Sequence, residues 1–399
     1  PKWPPLSSAR SSEVPKSSSL QVFQRAGAWA RARLARHPVI DPAALRGSRI
    51  AQFDGLRALA FLGVFAFHAV AVPYAWMGVD LFFVLSGYLI TKNLLALRET
   101  ARPRSALAVF YFRRLLRIVP PYYLALAAIF ALMPVSLREA PWYIAFASNI
   151  RDCLYPVLTG PLLPMWSIAV EEQFYLIWPF IVLLVPRRAL PAVFVVAIVL
   201  APAVRLLLTP VSADAVYRLV ICRSDLLALG ALFAWIDLRD PAWARRHARG
   251  IGLTAVAGIV VFALFATIDP RFDLEANEPL YNTLGYSLEA LVFTCALILA
   301  RIADRGLVHR TLCWRPLAYL GRISYTAYLV HVLVLKLLLR LPVPGVLRVT
   351  LALAITVTVA AASWHVMEQP LQRLRKIVRA APRAPDPVAQ MSRCADGSA

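Results

Sequence analysis

Arg57 and His68 carry the first chemistry legible in the chain. They stand eleven residues apart, in Asp54-Gly-Leu-Arg57-Ala-Leu-Ala-Phe-Leu-Gly-Val-Phe-Ala-Phe-His68. On a helix that spacing is three turns plus about 20°, so the two side chains share a face, roughly 16 Å apart along the axis. The face then holds a permanent cation at one end and a base that titrates near neutrality at the other. A lone histidine in a membrane helix can serve only as a hydrogen-bonder between helices. Its register with an intramembrane arginine favours catalysis. Asp80 follows after a short connection and, in a hairpin, sits at the depth of His68. A carboxylate there would fix the imidazole tautomer and stabilise its protonated form. Capping the second helix is the equally available role.

Arg113 and Arg117, in Phe112-Arg-Arg-Leu-Leu-Arg117, are i,i+4 neighbours that could clamp phosphates with paired hydrogen bonds. They could equally serve topology and lipid headgroups. In Met165-Trp166-Ser-Ile-Ala-Val-Glu171-Glu172-Gln, two carboxylates lie one turn or so into an apolar segment. Adjacent helical residues point about 100° apart, so only one of Glu171 and Glu172 can face a given cavity. Tyr325, Tyr328 and His331 form an i,i+3 ladder that could line that cavity or simply pack. Arg205 and Lys336 read as snorkelling end residues, and Arg223-Ser-Asp225 as an internal ion pair. No G-x-S-x-G, phosphate-loop, H-E-x-x-H or dinucleotide motif occurs, and no histidine has partners at metal-ligand spacing. Five scattered cysteines (Cys153, Cys222, Cys295, Cys313, Cys394) make neither a disulfide framework nor a zinc site.

The elements that must hold these residues follow from composition. The 399 residues are 60% hydrophobic and 16% charged, against about 25% charged in a soluble chain. Apolar runs near 20 residues, without strand-like alternation, exclude a soluble fold and a β-barrel. The expected fold is all-α: a polytopic membrane protein of about ten helices, near 52–72, 78–97, 112–133, 165–185, 190–208, 220–236, 251–268, 283–300, 317–339 and 349–367. Residues 1–50 read as a basic arm, 51–372 as the membrane domain and 373–399 as a polar tail. The stretch Trp142–Ile150 is too short to span and is expected in the outer interface. With both termini placed in the cytoplasm, 32 of the 43 Lys and Arg fall in inner segments, six in outer loops and five within spans. That asymmetry is the positive-inside signature. It accounts for most of the net charge of +21 and leaves little case for nucleic acid as a partner.

Five stretches together resemble the bacterial acyltransferase-3 membrane family: Arg57-x10-His68, Phe82-Phe-Val-Leu-Ser86-Gly-Tyr-Leu-Ile90, Arg113-Arg-Leu-Leu-Arg117-Ile-Val-Pro120, Trp166-Ser-Ile-Ala-Val-Glu-Glu-Gln-Phe-Tyr175 and Gly321-Arg322-Ile-Ser-Tyr325-Thr-Ala-Tyr328-Leu-Val-His331. The resemblance covers roughly residues 50–372. It implies an O-acyltransferase of the bacterial inner membrane, moving an acyl group, commonly acetyl, from cytoplasmic acyl-coenzyme A. The acceptors in the family are lipopolysaccharide, exopolysaccharide, peptidoglycan, Nod factors or macrolides, so a saccharide, lipid-linked saccharide or glycoside is expected. His68 would be the base, with Asp80, Glu171 and Glu172 nearby. Arg57, Arg113, Arg117 and Arg322 would hold donor phosphates or polarise the thioester. Ser86, Trp166, Tyr325, Tyr328 and His331 would line the acceptor site. No metal or permanently bound cofactor is expected, and none of the appended SGNH esterase-like domain that some members carry. A transporter using Arg57 and His68 for anions or protons is the alternative; the inverted repeats that would favour it are not seen.

Overall fold

The computed structural model describes residues 50–155, 160–269, 277–342 and 344–374. Nearly all of the expected arm and tail lies outside these, as does Cys394. Among the described residues every regular element is helical. The main helices are α1 (Ala51–Val70), α2 (Gly78–Thr100), α3 (Pro103–Leu132), α4 (Met165–Leu184), α5 (Leu190–Leu208), α6 (Ser224–Arg239), α7 (Ala248–Ile268), α8 (Tyr286–Ile302), α9 (Arg315–Leu338) and α10 (Gly345–Ser363). Nine described helical segments are long and apolar enough to cross a bilayer. The chain is a polytopic membrane protein.

The sixth expected span takes a different form. A 3₁₀ turn, Val220–Arg223, leads into α6, which has only 16 residues. At 1.5 Å per residue α6 measures about 24 Å, short of a hydrocarbon core of about 30 Å. Protein rather than lipid surrounds it: α2, α5 and α8 pack on its sides, so its ends need not reach the membrane surface. The segment around Trp142–Ile150 forms two short helices, Ala140–Ile144 and Ser148–Leu154. A reciprocal amide pair between Asn149 and Gln173, at 2.8 and 3.1 Å, ties the second of them to α4.

The core is where backbones approach closely. Gly87 of α2 lies against the Leu227 carbonyl of α6, and Gly230 of α6 against the Val84 carbonyl of α2, with no room for a Cβ at either. Gly321 of α9 meets the Asp54 carbonyl of α1 in the same way. Small residues at helix contacts are how membrane helices gain dispersion energy and weak hydrogen bonds where lipid offers no hydrophobic drive. The outcome is graded burial of the apolar windows: 78% in α9 and 67% in the α2 segment, but 22% in α5, 17% in α10 and 11% in α7. The poorly buried helices present their apolar side chains to lipid.

Two arginines depart from expectation. Arg205 does not snorkel; it is fully buried. Its guanidinium donates to the Asn282 carbonyl at 2.6 Å and to Asp225 and Ser287 at 2.8 Å, joining α5, α6 and α8. With internal acceptors for its donors, the charge has no need of the membrane surface. Asp225 is therefore Arg205's partner rather than that of Arg223, which pairs with Asp80.

Candidate active site

A partly open recess lies among α1, α2, α3, α4 and α9, with about 650 Å³ of atom-free space counted with its mouth. Helical periodicity builds its wall. Val79, Phe82, Phe83 and Ser86 fall at i, i+3, i+4 and i+7 on one face of α2. Arg114 and Arg117 are i,i+3 on α3, Arg57 comes from α1, and Glu171 and Tyr175 are i,i+4 on α4. Three guanidinium groups thus face one carboxylate, and the wall as a whole favours an anionic ligand.

Arg114 is the residue that sequence reasoning missed. Arg113 is exposed, whereas Arg114 continues the buried stripe from Phe110 and lies over the Phe110 ring at 5.7 Å and the Tyr175 ring at 4.8 Å. The expected Arg113–Arg117 clamp is replaced by Arg114–Arg117, because packing turns that side of α3 inward. The spacing gave no signal between Arg113 and Arg114, since Arg113 is i,i+4 from Val109 as Arg114 is from Phe110.

Of the two adjacent carboxylates, Glu171 faces the recess and Glu172 is not in its lining. Ser86 donates its hydroxyl hydrogen to Glu171 Oε1, and Tyr175 donates to Ser86 Oγ at 3.1 Å. The α9 ladder closes the opposite side. Tyr325 donates to the Ile118 carbonyl at 3.2 Å, and the Tyr328 and Ser167 hydroxyls are 2.7 Å apart.

His68 lies beyond this wall. Its Nδ1 stands 2.9 Å from the Val64 carbonyl oxygen and 3.2 Å from Nε2 of His331. His331, fully buried, has its own Nδ1 2.6 Å from the Tyr328 carbonyl oxygen. Tyr328 therefore borders both the recess and the paired imidazoles, which are 5.0 Å apart between ring centres. Arg57 lines the recess that α9 closes, ion-paired with Asp54 at 3.6 Å, and His68 meets α9 at His331.

Three other expected site residues stand elsewhere. Asp80 neither orients His68 nor caps its helix. It is fully buried and ion-paired with Arg223, whose guanidinium covers the Tyr286 ring at 4.3 Å. A carboxylate with no access to water takes the nearest guanidinium, here one 143 positions along the chain. Glu289 of α8 shares this neighbourhood, accepting from Tyr281 at 2.8 Å; an acidic residue inside an apolar span was its sequence signal. Trp166 is a packing residue, its ring 4.5 Å from Tyr217 with Arg218 at 5.5 Å. Arg322 lies over Tyr319 at 5.6 Å, outside the recess. No group of three or more His, Cys, Asp or Glu that could hold a metal ion occurs among the described residues.

Comparison with known proteins agrees over most of the chain. The model of a family described as "Acyltransferase domain" matches residues 50–365. Listeria monocytogenes peptidoglycan O-acetyltransferase OatA is 29% identical over 358 residues, 81% of this chain and 56% of that protein. Staphylococcus aureus O-acetyltransferase OatA is 27% identical over 304 residues, 70% of this chain and 49% of the relative. Bacillus subtilis putative peptidoglycan O-acetyltransferase YrhL is 29% identical over 353 residues, 80% and 54%. The chain spans about half the length of these curated relatives. No solved structure matches.

Proposed function

Because the chain belongs to the acyltransferase-3 family, whose model covers residues 50–365, we propose that it is a membrane O-acetyltransferase acting on a saccharide hydroxyl. The observation that carries this reading is the juxtaposition of two features across Tyr328. On one side is a recess with three guanidinium groups against one carboxylate; on the other is a pair of buried imidazoles. The first suits the phosphates of acyl-coenzyme A, the second a proton acceptor. The donor would enter at Arg57, Arg114 and Arg117 from the cytoplasm, as the distribution of basic residues supports. Its acyl arm would pass Tyr328 toward His68.

In the reaction, His68 removes the proton of the acceptor hydroxyl as its oxygen attacks the thioester carbonyl. The thiolate leaves and takes up the proton, so the products are an ester and free coenzyme A. Relatives named for peptidoglycan make a cell-wall glycan the first acceptor to try. A lipid-linked saccharide or small glycoside at or beyond the outer face is the next.

Purified protein in nanodiscs, supplied with acetyl-coenzyme A and soluble peptidoglycan fragments or lipid-linked saccharide, tests the reading. The expected result is thiol release that requires the acceptor, with one alkali-labile acetyl group on the product. Donor consumption that never depends on a saccharide, with no acetylated product, would overturn it.

A further inference from the structure

We infer that His331 is the positioning residue of His68, a neutral acceptor that helps hold the base with its Nε2 lone pair free. The inference rests on the reading of His68 as the base. Its argument is one of hydrogen positions. A carbonyl oxygen only accepts, and each histidine has Nδ1 against one: His68 against Val64 at 2.9 Å, His331 against Tyr328 at 2.6 Å. Each Nδ1 must therefore carry the hydrogen. His331 Nε2 is then bare, and its 3.2 Å approach to His68 Nδ1 makes it the second acceptor of a three-centre bond. The reverse assignment, with His331 Nε2 donating, would face both Nδ1 lone pairs onto carbonyl oxygens. One tautomer of each ring satisfies every contact, and it leaves His68 Nε2 as the basic nitrogen.

The division of labour follows. The Val64 oxygen, on His68's own helix, decides which nitrogen is protonated. His331 comes from α9 and fixes the direction of the ring. It is itself held edge-on to Phe61 at 6.0 Å and beside Tyr328 at 5.5 Å. A neutral partner differs from the carboxylate that usually orients a histidine base. It does not draw a proton onto the resting imidazole, yet its lone pair meets the positive charge that appears when Nε2 is protonated. The surroundings agree: Asp80 is taken up by Arg223, and Lys336 of α9 is the charged group acting on His68.

Three substitutions and one spectrum test this. His331→Phe keeps a ring and removes the acceptor; kcat should fall roughly tenfold or more, with the donor KM and the melting temperature in detergent nearly unchanged. His331→Gln puts Oε1 where Nε2 stood and should recover most of that loss. His331→Glu adds a full charge and should move the acid limb of kcat/KM to higher pH. A folded Phe variant with wild-type kcat, or a Gln variant as slow as Phe, would overturn the inference. Nitrogen-15 spectra of labelled histidines read the tautomer without turnover, with His68 assigned by its loss in His68→Gln. Hydrogen on Nδ1 and a bare Nε2 are expected, and the opposite tautomer overturns the inference even in an active enzyme. A wild-type protein with the expected tautomer and no acyl transfer would instead remove the functional reading and leave the pairing intact.

Discussion

Arg113 and Arg114 differ by about 100° around α3, and that rotation decides what each can touch. Arg114 borders the recess with Arg57 and Arg117, while Arg113 is exposed. A charge-assisted phosphate contact contributes about 1.5–3 kcal/mol, and 1.4 kcal/mol is a factor of ten. Arg114→Ala should therefore raise the KM for acyl-coenzyme A about tenfold or more, and Arg113→Ala should leave it nearly unchanged. Steady-state kinetics on the two variants in parallel checks this; equal effects would place the donor phosphates elsewhere. His68→Ala should abolish transfer while membrane insertion, read by detergent-extracted yield and gel filtration, stays normal. Near-normal turnover would remove His68 as the base. At this scale the sequence was half legible. Register alone put Arg57 and His68 on one face, because a single helix sets their spacing. It could not choose between Arg113 and Arg114, since each shares a face with Arg117, nor see that Asp80 would meet Arg223 rather than His68, since that pairing depends on which helices become neighbours.

Among the elements, α2 is the most heavily engaged, lending its recess-facing residues on one side and Asp80 to the ion pair with Arg223 on another. Removing one partner of a buried pair leaves an uncompensated charge and costs about 3–5 kcal/mol, whereas replacing both by apolar side chains of similar size is often near neutral. Asp80→Ala should lower the melting temperature in detergent markedly, and Asp80→Leu with Arg223→Met should recover most of it. A double variant as unstable as the single one would mean that the pair itself, and not charge compensation, holds α2 to the turn before α6. The apolar runs made nearly every helix legible. The exception was α6: hydropathy registers an apolar run but not whether lipid or protein surrounds it, so a short enclosed helix looks like a span.

For the whole molecule, the basic residues bear on orientation. With α6 and the turn before it counted as a crossing beside the nine longer segments, and the N-terminus placed inside, 32 of 43 Lys and Arg fall on the inner side; the connection between α3 and α4 should then face outward and that between α8 and α9 inward. Leu137 is 75% exposed in the first and Leu307 81% exposed in the second. In a cysteine-free background, an impermeant thiol reagent applied to intact cells should label Leu137→Cys and spare Leu307→Cys until the membrane is opened. The reverse pattern would invert the protein and move the donor to the wrong face.

The seam between Gly321 and the Asp54 carbonyl also has a bearing on motion. It holds α1 against α9 backbone to backbone, and these are the helices that carry His68 and His331. Base and partner therefore travel as one rigid block, and admission of a bulky donor has to come from another part of the wall. α3 has the features of a hinge. Its apolar window is only 39% buried, and Pro120 and Pro121 inside it leave the Leu116 and Arg117 carbonyls without their usual helical partners. Two of the three groups assigned to grip the donor, Arg114 and Arg117, sit on the limb that can swing, while Arg57 and the group assigned to take the proton sit on the part that stays still.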